Sequence, residues 1–252
     1  MPGFISVSAV IVAIDWIIVI LLRLSSMVIT YYGLSCFKIQ SGDTVLAIDP
    51  FSKESGLTPP RFGADAVLVS HEHENHNNID ALTVKDGEAS LNSARQGGVF
   101  KVTGPGEYEF KGILVRGTES FHDSKNGKQK GKNTIYIIEW DGMRLAHLGD
   151  YGEEILRSEV QEALGTPDIM FLPVGGMDTI DGEAAAKLAN QIEPRIIIPM
   201  HYKISGLKAK LDGVEVFMKE MGEKAEAEEK FTIKKNGLPA AEESRIVILK
   251  TP

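Results

Sequence analysis

From Met27 onward, the hydrophobic positions of the chain predict strands first and helices later. Two apolar stretches with partial alternation predict a pair of strands, and a third stretch follows closely. The next run, DAVLVS at 65–70, is continuously apolar and is typical of a buried strand. A polar helix is expected directly after it, at about 77–84. The first three predicted strands are MVITYYG (27–33), SCFKIQSG (35–42) and TVLAIDP (44–50).

The second half of the chain predicts strands that alternate with helices. Asp141-Gly142 joins two apolar runs and is the strongest short signal for a β-hairpin. Apolar residues near helical spacing over 153–165, closed by a glycine, favour a helix. Further helices are expected at 182–192 and 206–211. The remaining strands are expected at 97–104, 112–121, 133–140, 143–150, 168–174, 195–200, 214–218 and 245–250.

The stretch before this body has a different character. Residues 4–22 are almost wholly apolar and just long enough to span a bilayer as a helix. Asp15 near the middle would cost about 2.5–3.5 kcal/mol on insertion, and no cleavage pattern supports a signal peptide. Two interpretations stay open: a membrane anchor with the body in the cytoplasm, as Arg23 favours, or an upstream extension that the native protein lacks. The expected organisation is an apolar segment, 1–26, and one domain, 27–252.

Charge and cysteine content narrow the possible partners. The chain has 252 residues, a net charge of −8 and no basic cluster, which argues against nucleic acid as a partner. The lysine-rich run at 125–132 also contains glycine and asparagine, and favours a solvated loop. Cys36 is the single cysteine, so neither an internal disulfide nor a cysteine zinc site is expected. A small-molecule substrate is the expected partner, and the expected location is cytoplasmic, with or without the anchor.

The histidines are all placed at the end of a predicted strand or just after one. Such strand ends in α/β folds meet at one edge, where ligands bind. Asp150 lies at such an end as well, in the segment AHLGD. The six histidines are His71, His73, His76, His122, His147 and His201.

The segment HEHENH, which holds three of these histidines, has the spacing of a metal site. Side chains two apart on an extended segment point the same way, so His71 and His73 can share one ion. A turn inside the motif lets Asn75 and His76 face a second position. Imidazole and carboxylate ligands suit zinc, and also manganese or iron. Two ions roughly 3.5–4 Å apart need a bridging group, for which Asp150 is the natural candidate.

Four segments, HEHENH, FHD, HLGD and PMHY, follow one another along the chain. This order resembles the metallo-β-lactamase superfamily, over residues 27 to about 205. The segments TYYGLSCF, AIDP and LPVGGMDTID look closest to its lactonase-like hydrolases, the branch that includes L-ascorbate-6-phosphate lactonase. The resemblance implies an α/β fold, a four-layer αββα sandwich, here preceded by an apolar N-terminal helix. It also implies a metal site on one edge, with one or two divalent ions such as Zn or Mn.

The resemblance implies a set of ligands and two departures from the family pattern. Asp150 would bridge the ions, and Asp49 would orient a ligand from behind. The family motif has aspartate where this chain has Asn75, and the branch usually opens with Gly-His-Ser, where position 34 is leucine. Because an amide oxygen brings no charge, the second site is expected to be weaker or tuned to another metal. One ion would be held by His71, His73 and His122, and the other by Asn75, His76 and His201.

The expected activity is that of a metal-dependent hydrolase, which uses a metal-activated water on an ester, lactone or phosphoester. Asp150 would hold the water, and His147 would steady Asp150 rather than bind an ion. The alternative is a metal-binding protein of the same fold with weakened or lost catalysis, which Asn75 alone supports. A nuclease of this fold is disfavoured by the acidic charge.

Overall fold

The computed structural model describes residues 25–84, 95–96 and 98–252. The apolar segment expected at 4–22 lies outside the described residues. Among the helices in the described ranges, none combines the length and the apolar character that a bilayer span requires.

The described chain forms many short strands and a few helices. The strands are β1 (Met27–Gly33), β2 (Cys36–Ser41), β3 (Thr44–Ile48), β4 (Gly63–Ala64), β5 (Ala66–Val69), β6 (Thr83–Val84), β7 (Arg95–Gln96), β8 (Val99–Thr103), β9 (Gly106–Phe110), β10 (Ile113–Phe121), β11 (Lys132–Trp140), β12 (Met143–His147), β13 (Ile169–Pro173), β14 (Ile196–Met200), β15 (Phe231–Ile233) and β16 (Arg245–Ile246). The α-helices are α1 (Ser158–Leu164), α2 (Gly182–Ile192) and α3 (Val214–Met221). Short 3₁₀ turns occur at Lys53–Ser55, Ile79–Ala81 and Lys235–Gly237.

Most of these strands form two mixed sheets of seven strands each. The order is β15-β1-β2-β3-β5-β8-β7 in one sheet and β16-β14-β13-β12-β11-β10-β9 in the other. Each sheet contains a parallel part, β3-β5-β8 in the first and β12-β13-β14-β16 in the second. Because parallel strands end at the same edge, the loops after β5, β12 and β14 lie at the ends of their sheets.

Alternating side chains place the core between the two sheets. Leu46 and Ile48 of β3 belong to a large buried cluster that includes residues of both sheets and of α2 and α3. Val45, on the opposite face of β3, packs instead in a smaller cluster with Ala64 and Leu82. The expected α/β sandwich, with two sheets as its inner layers, is therefore confirmed.

Most predicted strands are confirmed, as is the hairpin between β11 and β12. Its turn residues Asp141 and Gly142 have φ values of 52° and 71°, as a type I′ turn requires. The expected strand at 245–250 is shortened to β16, while β9 and β15 were not predicted. Three-residue strands such as β15 carry too little alternation to stand out from a polar tail.

Two predicted elements are wrong: one predicted strand is a helix, and one predicted helix is irregular. The segment 214–218 is the start of helix α3, not a strand. Its β-branched valines suggest a strand, but Val214, Phe217 and Met218 have helical spacing and the latter two are buried. The segment 206–211 is not a helix. Its backbone instead makes a hydrogen bond to a distant segment, because the Lys208 N–H donates to the Ser55 carbonyl at 2.9 Å.

Two further helices were overestimated from local pattern alone. The polar helix expected at 77–84 is instead a 3₁₀ turn followed by β6. The Asn78 amide side chain and backbone N–H donate to the carbonyls of Phe51 and Pro50, which ties this residue to a neighbouring loop in a non-helical conformation. The helix expected at 153–165 begins only at Ser158. Before that point, Glu153 accepts hydrogen bonds from Arg157 and a backbone N–H of β10, which fixes a non-helical bend.

Candidate metal centre

The candidate site lies where strand ends of both sheets meet. The loop 71–76 directly follows β5 of the first sheet. His122, Asp150 and His201 follow β10, β12 and β14 of the second sheet. The structure therefore brings together side chains that are up to about half the chain apart in sequence.

A single oxygen atom, Oδ2 of Asp150, is the centre of this cluster. It lies 3.1 Å from Nε2 of His76, 3.1 Å from Nε2 of His122 and 3.3 Å from Nε2 of His201. All four residues are buried. One carboxylate thus faces three imidazoles supplied by three different loops.

Three overlapping sets of potential ligand atoms result, each confined within 4.8 Å. The sets overlap, because His71, His76 and Asp150 each belong to two of them. The sets are His71, His73 and His76; His71, His122 and Asp150; and His76, Asp150 and His201.

Unpaired buried atoms test whether these residues suit a metal. Nε2 of His71, Oδ1 of Asn75 and Nδ1 of His201 are buried and have no hydrogen-bond partner among the described residues. A buried polar atom without a partner costs about 1–3 kcal/mol. Imidazole nitrogen and amide oxygen are metal ligands, so a bound cation would satisfy Nε2 of His71 and Oδ1 of Asn75. His201 instead faces Asp150 through Nε2, at 3.3 Å, so its unpaired Nδ1 points away from that carboxylate. The donor set therefore fits a divalent metal.

A tight turn gives the HEHENH loop its shape. The backbone N–H of His76 donates to the His73 carbonyl at 2.8 Å, and the Asn75 N–H contacts Nδ1 of His73 at 3.2 Å. This turn buries His76 and leaves His73 exposed at the rim. Glu72 also lines the cavity, but its carboxylate accepts a hydrogen bond from Asn77 at 2.8 Å.

Asp49 orients two histidines from behind the site. Its Oδ2 atom lies 3.0 Å from Nδ1 of His76 and accepts from the Ser70 hydroxyl at 2.7 Å. Because that hydroxyl donates to Asp49, it accepts from Nδ1 of His71, 3.0 Å away. Nδ1 of His71 therefore carries the proton of this ring, and the lone pair of Nε2 is available to bind a metal.

Asp150 has supports of its own that sequence reasoning missed. The Ser35 hydroxyl donates to Oδ1 of Asp150 at 2.8 Å, and the Asp150 N–H donates to Oδ1 of Asn133 at 3.0 Å. Gly149 precedes Asp150 and has a φ of 56°. An added Cβ at Gly149 would lie 2.3 Å from Oδ1 of the Asn133 side chain. A lone serine in a turn, such as Ser35, or a lone asparagine on a strand, such as Asn133, gives no sequence signal of this role.

His147 is in the interior, and it is not among the residues that line the cavity. Its Nε2–H donates to the Ser35 carbonyl at 2.9 Å, and its Nδ1 accepts from the Gly149 N–H at 3.2 Å. Burial lowers its pKa, which keeps the ring neutral. His147 thus holds the two segments that bear on Asp150, without touching that carboxylate.

The charges of the cluster are strongly coupled. Burial opposes ionisation of Asp150, but His201 and His76 hold its pKa well below the usual range. Burial likewise opposes a charge on His76, yet Asp150 and Asp49 raise its pKa to about 10. Burial and the adjacent His76 lower the pKa of His71 to about 3. Without a metal, His76 therefore carries a proton in the space between two carboxylates.

A cavity of about 200 Å³ opens above these residues. Lys130 lines it and forms an ion pair with Asp178 at 2.8 Å. The Asp178 carbonyl lies 3.0 Å from Nδ1 of His122 and fixes that ring. A larger cavity of about 350 Å³ beside α2 has no histidine or cysteine in its wall, so the metal chemistry belongs to the smaller one.

The lysine-rich run is more ordered than its composition suggests. The buried carboxylate of Asp123 accepts four backbone N–H groups of this loop, at 2.7 to 3.0 Å. These hydrogen bonds lower the pKa of Asp123, although its burial opposes this. The loop thereby presents Lys130 to the cavity in a fixed position.

Comparison with known proteins gives the fold and site a family. The model of the beta-lactamase superfamily domain matches residues 28–201. The structure of a Thermotoga maritima protein, assigned as a Zn-dependent hydrolase of the metallo-β-lactamase superfamily, superposes with a TM-score of 0.66. It is 28% identical and covers 88% of this chain and 98% of its own. The chain belongs to the metallo-β-lactamase superfamily.

Other members of the superfamily share most of their length with this chain. A UPF0173 metal-dependent hydrolase of Thermoplasma acidophilum is 31% identical over 71% of this chain and 84% of the relative. One from Natranaerobius thermophilus is 29% identical over 80% and 94%. The expected superfamily and the expected class, metal-dependent hydrolase, are confirmed at this level. The lactonase-like branch and the substrate stay predictions.

Proposed function

We propose that the histidines, Asn75 and Asp150 at this edge of the sheets hold one or two divalent transition-metal ions. The protein would then hydrolyse an ester, lactone or phosphoester, as a lactonase-like member of the superfamily. The observation that carries this proposal is the convergence of three Nε2 atoms, those of His76, His122 and His201, on Oδ2 of Asp150. A carboxylate between imidazoles is the arrangement that two adjacent ions require. Imidazole-rich donor sets suit zinc, and a carboxylate and an amide oxygen extend the choice to manganese.

The residues divide into two ligand groups. Asn75 contributes an amide oxygen, and Asp150 reaches both positions. Asp49 and Ser70 fix the histidine rings from behind, through Nδ1 of His76 and of His71. Such supporting contacts set both the tautomer and the direction of a ligand. One ion would be held by His71, His73 and His122, and the other by Asn75, His76 and His201.

The chemistry follows from what the chain holds in place. When bound, a divalent metal lowers the pKa of a coordinated water to about 7 and stabilises negative charge on the substrate oxygen. Asp150, ionised and fixed by Ser35, orients the attacking water and accepts a hydrogen bond from it. His147 acts as a positioning residue, because it ties the Ser35 carbonyl to the Gly149 backbone. The buried cluster limits other water from reaching the reacting carbonyl or phosphoryl group.

A second candidate is a metal-binding protein of this fold with weakened or lost catalysis. Asn75 favours it, because the amide adds no negative charge at the second position. This candidate predicts metal uptake without turnover. Restoring the carboxylate, in Asn75→Asp, should then produce hydrolysis where the natural chain has none.

Metal analysis and a hydrolase screen test the proposal together. The protein is dialysed, reloaded with Zn²⁺ or Mn²⁺, and assayed on esters, lactones and phosphodiesters. We expect retained metal and turnover that Asp150→Asn abolishes, while Glu74→Gln, an exposed carboxylate of the same loop, leaves both unchanged. Failure to bind either metal contradicts the site. Metal binding without any turnover contradicts hydrolysis and favours the second candidate.

A further inference from the structure

Apolar residues from three separate segments line part of the cavity at the candidate metal site. Leu34 lies in the turn between β1 and β2, Met177 in the loop before α2, and Ala209 and Leu211 in the loop before α3. Together these four residues form what we name the apolar wall. The wall is continuous with the proposed active site, since the same cavity is lined by Asp150.

Leu34 is held in the wall by its backbone. Its carbonyl accepts the His201 N–H at 2.8 Å and the Tyr31 hydroxyl at 2.9 Å. These bonds fix it at φ of 53°, a conformation that glycine adopts freely and leucine does not. The chain nevertheless carries a large side chain here, buried beside Phe51 on its inner side. A strained, non-glycine residue facing a cavity is a reason to look for a function.

Met177 extends the wall to the surface. Its side chain is 67% exposed, and its backbone also has a positive φ, of 66°. An exposed methionine offers a flexible, polarisable surface that adapts to an apolar ligand. Both strained positions of the wall therefore present apolar side chains, one deep in the cavity and one at its mouth.

Away from the proposed ions, the charged residues that line the cavity are Glu72, Lys130 and Asp178, which together carry a net charge of −1. Of the lysines and arginines in the part of the chain that the structure describes, only Lys130 lines the cavity, and its ammonium group is paired with Asp178 at 2.8 Å. Glu72, another lining residue, is held by Asn77. A substrate anion would therefore meet no surplus positive charge away from the ions.

From this wall, we propose that the substrate carries a short, neutral, apolar group, such as an unbranched acyl chain, which packs against Leu34 and Met177. This inference rests on the proposed function, because it assigns a substrate class to the same site. Each methylene buried against the wall would improve kcat/KM by about fourfold. A carboxylate at the end of the same chain would remove that gain.

Hydrolysis of matched esters tests the wall. The Zn²⁺- or Mn²⁺-loaded protein is assayed on the 4-nitrophenyl esters of acetate and hexanoate and on the mono-ester of adipate, which has the hexanoate length and a terminal carboxylate. We expect hexanoate to exceed both others by at least about tenfold in kcat/KM. Leu34→Gly, which relieves the backbone strain, and Met177→Ser should each lower the hexanoate-to-acetate ratio. Ile155→Ser, which changes an apolar side chain 78% exposed outside the wall, should not.

Binding distinguishes a failed wall from a failed hydrolase. Acetohydroxamate and hexanohydroxamate share one metal-binding group and differ only in the chain, so calorimetry compares them without turnover. Tighter binding of hexanohydroxamate, lost in Leu34→Gly, supports the wall even if no ester is hydrolysed. Equal binding of the two, or a preference for the adipate ester, overturns the proposal even if hydrolysis is found. The proposal also fails if Leu34→Gly and Met177→Ser keep the natural preference.

Discussion

The carboxylate of Asp49 contacts Nδ1 of His76 at 3.0 Å, on the side of the ring away from Asp150. This contact fixes the ring, so Asp49→Asn should weaken the second metal position by about 10–100-fold. Calorimetric metal titration would measure this. The matched control is Asp65→Asn, since Asp65 caps the Val45 N–H at 2.8 Å and lies outside the cluster. Equal losses in both variants would contradict a specific role for Asp49.

Metal uptake at this position should release a proton. His76 has a pKa of about 10, because Asp150 and Asp49 outweigh burial, so it is protonated in the metal-free protein at neutral pH. An imidazole must be neutral to bind a metal. Affinity should therefore rise with pH, by up to about tenfold per unit, until the pH approaches that pKa. Titration in two buffers of different ionisation enthalpy would count the protons, and identical heats would contradict the prediction.

A carboxylate at position 75 should strengthen the second position. Asn75→Asp keeps the shape and adds a negative charge, where unit charges 4 Å apart attract by about 4 kcal/mol at an effective dielectric of 20. Even a quarter of this would tighten binding about fivefold. Calorimetry on both proteins would show it. An unchanged affinity would mean that Oδ1 of Asn75, which is buried and has no hydrogen-bond partner among the residues described, does not face the metal.

Removal of single ligands should give unequal effects. His122→Ala removes one of the three imidazoles of the proposed first position, and should abolish the tighter binding event. His201→Ala should mainly affect the looser one. Elemental analysis after dialysis against a weak chelator would separate the two. Equal loss of metal from both variants would argue against two distinguishable positions.

A shortened chain should locate the start of the folded domain. Met27 is fully buried in β1, and Ser25 donates a hydrogen bond to Asp141 at 2.6 Å. A chain that starts at Met27 should fold, with a free energy of unfolding lower by about 1 kcal/mol than one that starts at Ser25. Urea unfolding of both would measure the difference. Aggregation of both chains would show that the preceding residues belong to the fold.

The sequence predicted the strands well because buried strands have a strong local signal. The runs that became β5, β13 and β14 are continuously apolar, and each is buried along its whole length. Helices were predicted less well where tertiary contacts decide. The segment 206–211 has helical composition, but its Lys208 N–H is bound by the Ser55 carbonyl. Such a contact between distant segments has no local pattern.

The candidate site likewise contains some residues with a strong sequence signal and others whose roles depend on tertiary contacts. Its histidines were predictable because the chain has only six of them, and each lies at the end of a predicted strand or just after one. Ser35, Ser70 and Asn133 were not, since serine and asparagine are common and their roles depend on which strands become neighbours. Leu34 was noticed as a departure from a family pattern, but only the structure relates its positive φ to the cavity.

The division of the proposed ligands between two sheets has a mechanical consequence. The HEHENH loop ends a strand of one sheet, while His122 and His201 end strands of the other. A metal bound there would be a reversible cross-link between the two sheets at this edge of the sandwich. At a free concentration of 100 times Kd, such binding adds about 2.7 kcal/mol to the free energy of unfolding. Removal of the metal by a chelator should therefore first speed amide hydrogen exchange at the ends of β5 and β14. In an organism that is short of metal, the two sheets of this protein would separate more easily at this edge.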